Sequence, residues 1–180
     1  GVPTLVVALV VIILGTNSWN NSRFIYNTSY TYQNENTRIE QQKKTYYDNM
    51  WKSYQLKDNV VLQNKEMFLE VTNIIMGARK DGANLTWKWL TENQPIPYSE
   101  FTDFYRDLSS FIESQRAGLL AIENQSQIVA QANNTLLDTF PNNVYNKVLN
   151  RPHIEYKPGF TSTRTEKVFT SGIEDLEPRK

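Results

Sequence analysis

The chain has 180 residues, with 19 Lys and Arg against 19 Asp and Glu, no cysteine and one histidine. That length suits one domain with attachments, and the balanced charge gives no general pull toward nucleic acid. The lack of cysteine excludes disulfides, thiolate zinc sites and cysteine nucleophiles, and it leaves His153 without the partners that a histidine triad or metal set requires.

Val2 to Leu14 reads VPTLVVALVVIIL, and no charged side chain appears before Arg23. A membrane-crossing helix takes roughly 20 mostly apolar residues. Including Gly15 to Trp19 makes a span and places Trp19 at the interface. Residues 1–19 are therefore expected to form a retained transmembrane anchor, carried by Val2, Leu5, Val6, Val7, Leu9, Val10, Val11, Ile12, Ile13, Leu14 and Trp19. Pro3 suits the first turn of such a helix. A signal peptide would show a basic leader and a small-residue cleavage site, and a buried core helix would be flanked by partner elements; neither pattern is seen. Arg23, Arg38, Lys43 and Lys44 follow the span. The positive-inside rule then puts the bulk of this single-pass chain in the cytoplasm.

Residues 20–37 are rich in Asn, Ser, Thr and Tyr and lack apolar periodicity. They read as a polar spacer or a helix extension. Residues 38–141 are expected to form an antiparallel bundle of three to four long helices. Within them, Arg38 to Arg79 carries Tyr47, Tyr54, Val61, Phe68 and Ile75 at intervals of seven, with Met50, Trp51 and Val71 beside that row. Lys57, Asp58 and Asn59 interrupt the row, which predicts a break there. Lys80 to Pro97 is punctuated by Asp81-Gly82 and Pro95-Ile-Pro97, and predicts a short amphipathic turn or helix.

Tyr98 to Thr139 is the clearest helix, with Ser99 as its expected cap and Glu100 and Asp103 in the first turn. Its predicted packing stripe steps through Phe101, Phe104, Leu108, Phe111, Gln115, Gly118, Ile122, Ser126, Val129, Asn133, Leu136 and Phe140. Gly118 costs about 1 kcal/mol relative to Ala in a helix, which either a close helix approach or a tolerated defect would account for. Pro141 stops the helix, because proline has no N–H to donate. Residues 142–180 read as an extended tail partly packed on the bundle, with Tyr145, Tyr156, Phe160 and Phe169 along it and a mobile end from Glu174.

No motif for catalysis emerges. Glu113 and Glu123 lie ten residues apart, about 15 Å along a helix axis. Glu66 and Glu70 beside Lys65 and Arg79 read as a solvated face. The glycines are isolated and form no phosphate-binding loop. Trp51, Trp87 and Trp89 read as packing residues rather than ligand-stacking ones. The reading is thus of a non-enzyme, with no cofactor, metal, nucleic acid or small-molecule substrate.

Asn134-Thr-Leu-Leu-Asp-Thr-Phe-Pro-Asn-Asn143 resembles the pattern that ends the last long helix in the LemA family of bacterial membrane proteins. Asn134 takes the Asn position of that pattern, Phe140-Pro141 takes its terminal pair, and Trp51 corresponds to the tryptophan of the family's first helix after the anchor. Asn133 stands where the family has Tyr, and Val60-Val-Leu-Gln-Asn64 stands where the family has Leu-Ile-Pro-Asn-Leu. The resemblance implies an anchored all-α bundle with no known catalytic residues. The expected function is a membrane-anchored, self-associating scaffold or interaction protein, whose partners are the lipid bilayer and either a second copy or another membrane protein. The alternatives are a phage or virion envelope component, since the Asn-, Lys-, Ile- and Tyr-rich composition fits an AT-rich bacterial or phage genome, and an accessory subunit of a membrane protease or transporter.

Overall fold

The computed structural model describes residues 1–58, 60–77 and 81–156. The fold is all-α. Its helices are α1 (Val2–Gln55), α2 (Lys65–Gly77), α3 (Gly82–Asn93), α4 (Tyr98–Asp138) and α5 (Asn142–Leu149). No proline falls between Pro3 and Pro95, so nothing in the backbone obliges α1 to stop after the apolar segment. Residues 20–37 accordingly take the second of their two expected forms and extend α1.

The chain divides into two compact units, one made of Gly1–Glu40 with Asn124–Tyr156, the other built on Gln41–Glu123. The residues read as a spacer and the first part of the tail therefore share a unit with the last turns of α4.

In the unit of residues 41–123, the seven-residue row crosses the connection between α1 and α2. Tyr47, Tyr54, Phe68 and Ile75 are buried, and Val61 is half-buried in the loop. Tyr54 makes that loop possible. Its hydroxyl accepts the N–H groups of Val61 (3.2 Å) and Leu62 (3.3 Å), which seats the Leu62 side chain fully in the core. Asn64 then caps α2, its Oδ1 accepting the Met67 N–H at 2.9 Å. Phe68 stands among Tyr54 (5.1 Å between ring centroids), Trp51 (5.5 Å) and Phe111 (6.5 Å). On the α3 side, Trp87 meets Phe101 edge-on at 4.9 Å. These offset and edge-on geometries suit the ring quadrupoles.

The start of α4 differs from the expected Ser99 cap. The Pro97 carbonyl accepts the N–H groups of Glu100 (3.0 Å) and Phe101 (3.1 Å), so the chain enters the helix at Tyr98 and Ser99 lies inside it. The packing stripe also differs. Phe101, Phe104 and Leu108 are buried as expected, but the buried line then continues through Ile112, Leu119, Glu123, Ser126, Ala130, Asn133 and Leu137. From Leu108 the helix takes a step of four to Ile112, where the expected stripe took a step of three to Phe111. The two lines rejoin at Ser126 and Asn133.

In the other unit, α1 and α4 meet through polar side chains as much as through Ile25, Ile39 and Leu137. Ser29 donates to Asn133 Oδ1 at 2.8 Å. Asn133 Nδ2 and Gln33 Nε2 both donate to the Pro152 carbonyl, at 3.1 and 2.8 Å. The first part of the tail is not extended. Pro141 ends α4 as expected, yet the chain restarts at once as α5 and closes on Asn150 in the left-handed region (φ 50°). Asn is one of the few side chains that tolerates that conformation. Asn146 secures the turn by accepting the Arg151 N–H at 2.8 Å. Residues 150–156 are the stretch that runs extended; residues 157–180, with Phe160, Phe169 and the end from Glu174, lie outside the described residues.

Candidate functional site

The apolar start of α1 is bare. Every large side chain from Val2 to Leu14 is exposed, from 48% at Val10 to 76% at Val2, and Trp19 is exposed as well. No part of the apolar stretch is buried, and the helix is long and apolar enough to cross a membrane. Each such side chain would gain roughly 1.5–3 kcal/mol on leaving water. All eleven residues expected to form the anchor therefore lie on one uncovered helical segment.

Within the unit of residues 41–123, charge enters the helix seam. Lys43 Nζ lies 2.7 Å from Glu123 Oε1, and both side chains are almost fully buried. Tyr47 is buried close by, and its phenol is held well above the ordinary tyrosine value, first by burial and then by the Glu123 charge. Sequence reasoning missed this group. It counted Lys43 among the cations that follow the anchor and orient it, and Glu123 as a carboxylate too far from Glu113 to pair with it. The signal was present in the spacing: Ile112, Leu119, Ser126 and Asn133 recur every seven residues on α4, and Glu123, Ala130 and Leu137 form the companion row. A charged residue on such a row is a core position.

The four residues of the family-like motif are dispersed in role. Trp51 is half-buried in the aromatic cluster around Phe68. Asn134 clasps the chain after α5, donating to the Ile154 carbonyl at 3.0 Å and accepting the Ile154 N–H at 2.8 Å. Phe140 is exposed in the turn before α5, and Pro141 follows it.

The remaining candidates have simple surroundings. His153 is exposed, with Nε2 2.7 Å from Asp138 Oδ1. Lys65 pairs with Asp48 rather than with Glu66 or Glu70; Arg79 lies outside the described residues. An open groove beside Phe111 has Asp58 and Asp107 on its edge, both exposed, and Lys57 Nζ lies 5.1 Å from the Phe111 ring centre. No protein-family model matches the chain, and no curated protein and no solved structure is significantly similar to it.

Proposed function

We propose that the protein is a non-enzymatic, membrane-anchored helical scaffold of the LemA type. It crosses the bilayer once, and its helical units stand on the cytoplasmic side. The observation that carries this reading is the uncovered stretch from Val2 to Leu14 at the head of α1. Nothing among the described residues shields these side chains, and hydrocarbon is the solvent that removes their cost. The helix from Val2 to Trp19 rises about 27 Å at 1.5 Å per residue, close to the roughly 30 Å of a bilayer core. Trp19 then falls at the headgroup level, where its amphipathic ring is favoured. Arg23 follows as the first charged residue, and cations there favour the cytoplasmic face. The function is geometric: the anchor tethers the chain, and the helices present their outer faces to a second copy or to another membrane protein.

Fractionation tests the anchor. The full-length chain stays with membranes through alkaline carbonate extraction, and Val7→Asp with Val11→Asp releases it. Each charge at the centre of a span costs roughly 2.5–3.5 kcal/mol on insertion scales. Release of the unsubstituted chain by carbonate would remove the reading. Light scattering in mild detergent tests the scaffold: a discrete homo-oligomer supports self-assembly, and a monomer moves the role to an adaptor for a different membrane protein.

A further inference from the structure

We propose that the groove between the end of α1 and the first turns of α4 binds a linear aliphatic polyamine, its methylenes against Phe111 and Leu56 and its ammonium groups on Asp58 and Asp107. The site lies wholly within the unit of residues 41–123 and does not depend on the membrane reading of residues 1–19. Four observations carry it.

The first is the space. The groove encloses about 500 Å³, and small-molecule sites run from roughly 300 to 1,000 Å³. Phe111 is half-buried on its wall, 6.4 Å from the Tyr54 ring centroid. Ile112, the next residue, fills the α4 seam, so the Phe111 ring is left to the groove. Leu56 lies on the same wall and is 87% exposed. An alkyl chain along these two side chains removes apolar surface from water.

The second is a cation already in place. Lys57 Nζ stands 5.1 Å from the Phe111 ring centre, inside the roughly 6 Å within which a ring face attracts positive charge. The chain thus sets its own primary ammonium where the ligand places one. Lys57 is exposed in the loop after α1, and a polycation that also reaches the carboxylates displaces it.

The third is acidity. Asp58 from the loop and Asp107 from α4 line the one groove, and both are exposed. Arg106 does not claim Asp107. It bonds Asp103 at 2.7 Å and stands 3.9 Å from Asp107, beyond hydrogen-bonding distance. An ammonium can donate to both carboxylates, whereas a quaternary nitrogen has no N–H to give. The fourth is the helix end. α1 stops at Gln55, next to the lining residues Leu56, Lys57 and Asp58. The last carbonyls of a helix carry partial negative charge, which favours a cation there.

Isothermal titration calorimetry of the full-length protein with spermidine, in an uncharged detergent, tests the site. Saturable binding is the expected result. Asp107→Asn and Phe111→Leu should each weaken it by about two- to fivefold. Asp107 is exposed, so its replacement leaves the core packing untouched and a weaker affinity there is no folding defect. Lys57→Met should tighten binding by about two- to fivefold, because it vacates the ring. Lys44→Met removes an equal charge from an exposed position eleven residues before Gln55 and should leave the affinity unchanged. The absence of saturable heat from the native chain would overturn the proposal, as would an affinity that Asp107→Asn leaves intact. Equal tightening by Lys57→Met and Lys44→Met would also overturn it, since attraction would then follow overall charge and not the groove.

Discussion

Tyr46 on α1 lies across the face of Gly118 on α4, with its hydroxyl proton shared between the Gln115 carbonyl (3.3 Å) and the Gln115 side-chain oxygen (3.0 Å). A methyl group at position 118 would meet the ring at 2.7 Å from Cζ and 3.0 Å from Cε2. The glycine is therefore accounted for by a close approach. Gly118→Ala gains about 1 kcal/mol of helix propensity but displaces a ring held by two acceptors. The expected net effect is a loss of about 1–2 kcal/mol. In a Tyr46→Ala background the same substitution becomes stabilising. Urea denaturation of the full-length chain in mild detergent reads both values, and a gain from Gly118→Ala with Tyr46 in place would contradict the contact.

The Lys43–Glu123 pair makes an asymmetric prediction. Glu123→Ala leaves a buried ammonium, and should cost about 3–5 kcal/mol. Lys43→Met with Glu123→Leu removes both charges and fills the same space. Its stability should equal or exceed that of the native chain, because desolvation of the pair offsets most of its attraction. What the pair supplies is register, since a slipped α1–α4 seam would leave each charge facing apolar side chains. The double variant should accordingly keep its melting temperature and broaden its helix–helix distance distribution between labels on α1 and α4. An unchanged distribution would assign the pair no role in register.

Much of this architecture is written in residues that punctuate or repeat. The uncharged run before Arg23, the interruption at Lys57-Asp58 and the Pro97 and Pro141 boundaries place α1, the first loop and α4 to within a few residues. What escaped was which polar residues are inside. Asn133 and Ser126 lie on the predicted stripe of α4 and are buried, but Glu123, Lys43 and Ser29 carry no hydrophobic signal; they become core residues only because each finds its partner on the facing helix. The choice of Phe111 over Ile112 failed for a related reason. Size favours the aromatic, but Phe111 sits half-buried at the groove while Ile112 takes the seam. α5 escaped because a helix of eight residues with four polar asparagine or lysine side chains has too short a pattern to register.

Tyr47 gives the pH dependence. Its folded value lies above the ordinary 10.0 of the unfolded chain, from burial first and the Glu123 charge second. The native state thus holds this proton more tightly than the unfolded state does. The stability linked to it is whole below pH 10.0 and is lost progressively as pH rises past that point. Tyr54 and Tyr105, also raised by burial, act in the same direction. Tyr47→Phe should flatten the alkaline limb of a stability–pH curve, at a neutral-pH cost of about 1 kcal/mol for a lost hydroxyl contact. An alkaline limb of the same slope in the variant would show that Tyr47 does not titrate on unfolding.

Asn134 offers the most local test. Its side chain closes a two-bond clasp on the Ile154 backbone, at 3.0 and 2.8 Å, and Ile154 is itself buried. The amide is suited to this because one end donates and the other accepts. Asn134→Asp keeps the acceptor and loses the donor, leaving a carboxylate facing the Ile154 carbonyl. Asn134→Ala loses both bonds. Each should cost about 1–3 kcal/mol, and the cost should fall on one segment. Hydrogen exchange of the full-length chain in detergent should show the Ile154 amide losing protection in both variants, with residues 41–77 unchanged. Because residues 150–156 lead directly out of α5, the same loosening should reach Arg151 and its stacking on Tyr26. Protection at Ile154 that survives Asn134→Ala would mean that burial of the Ile154 side chain, and not the clasp, holds this segment against α4.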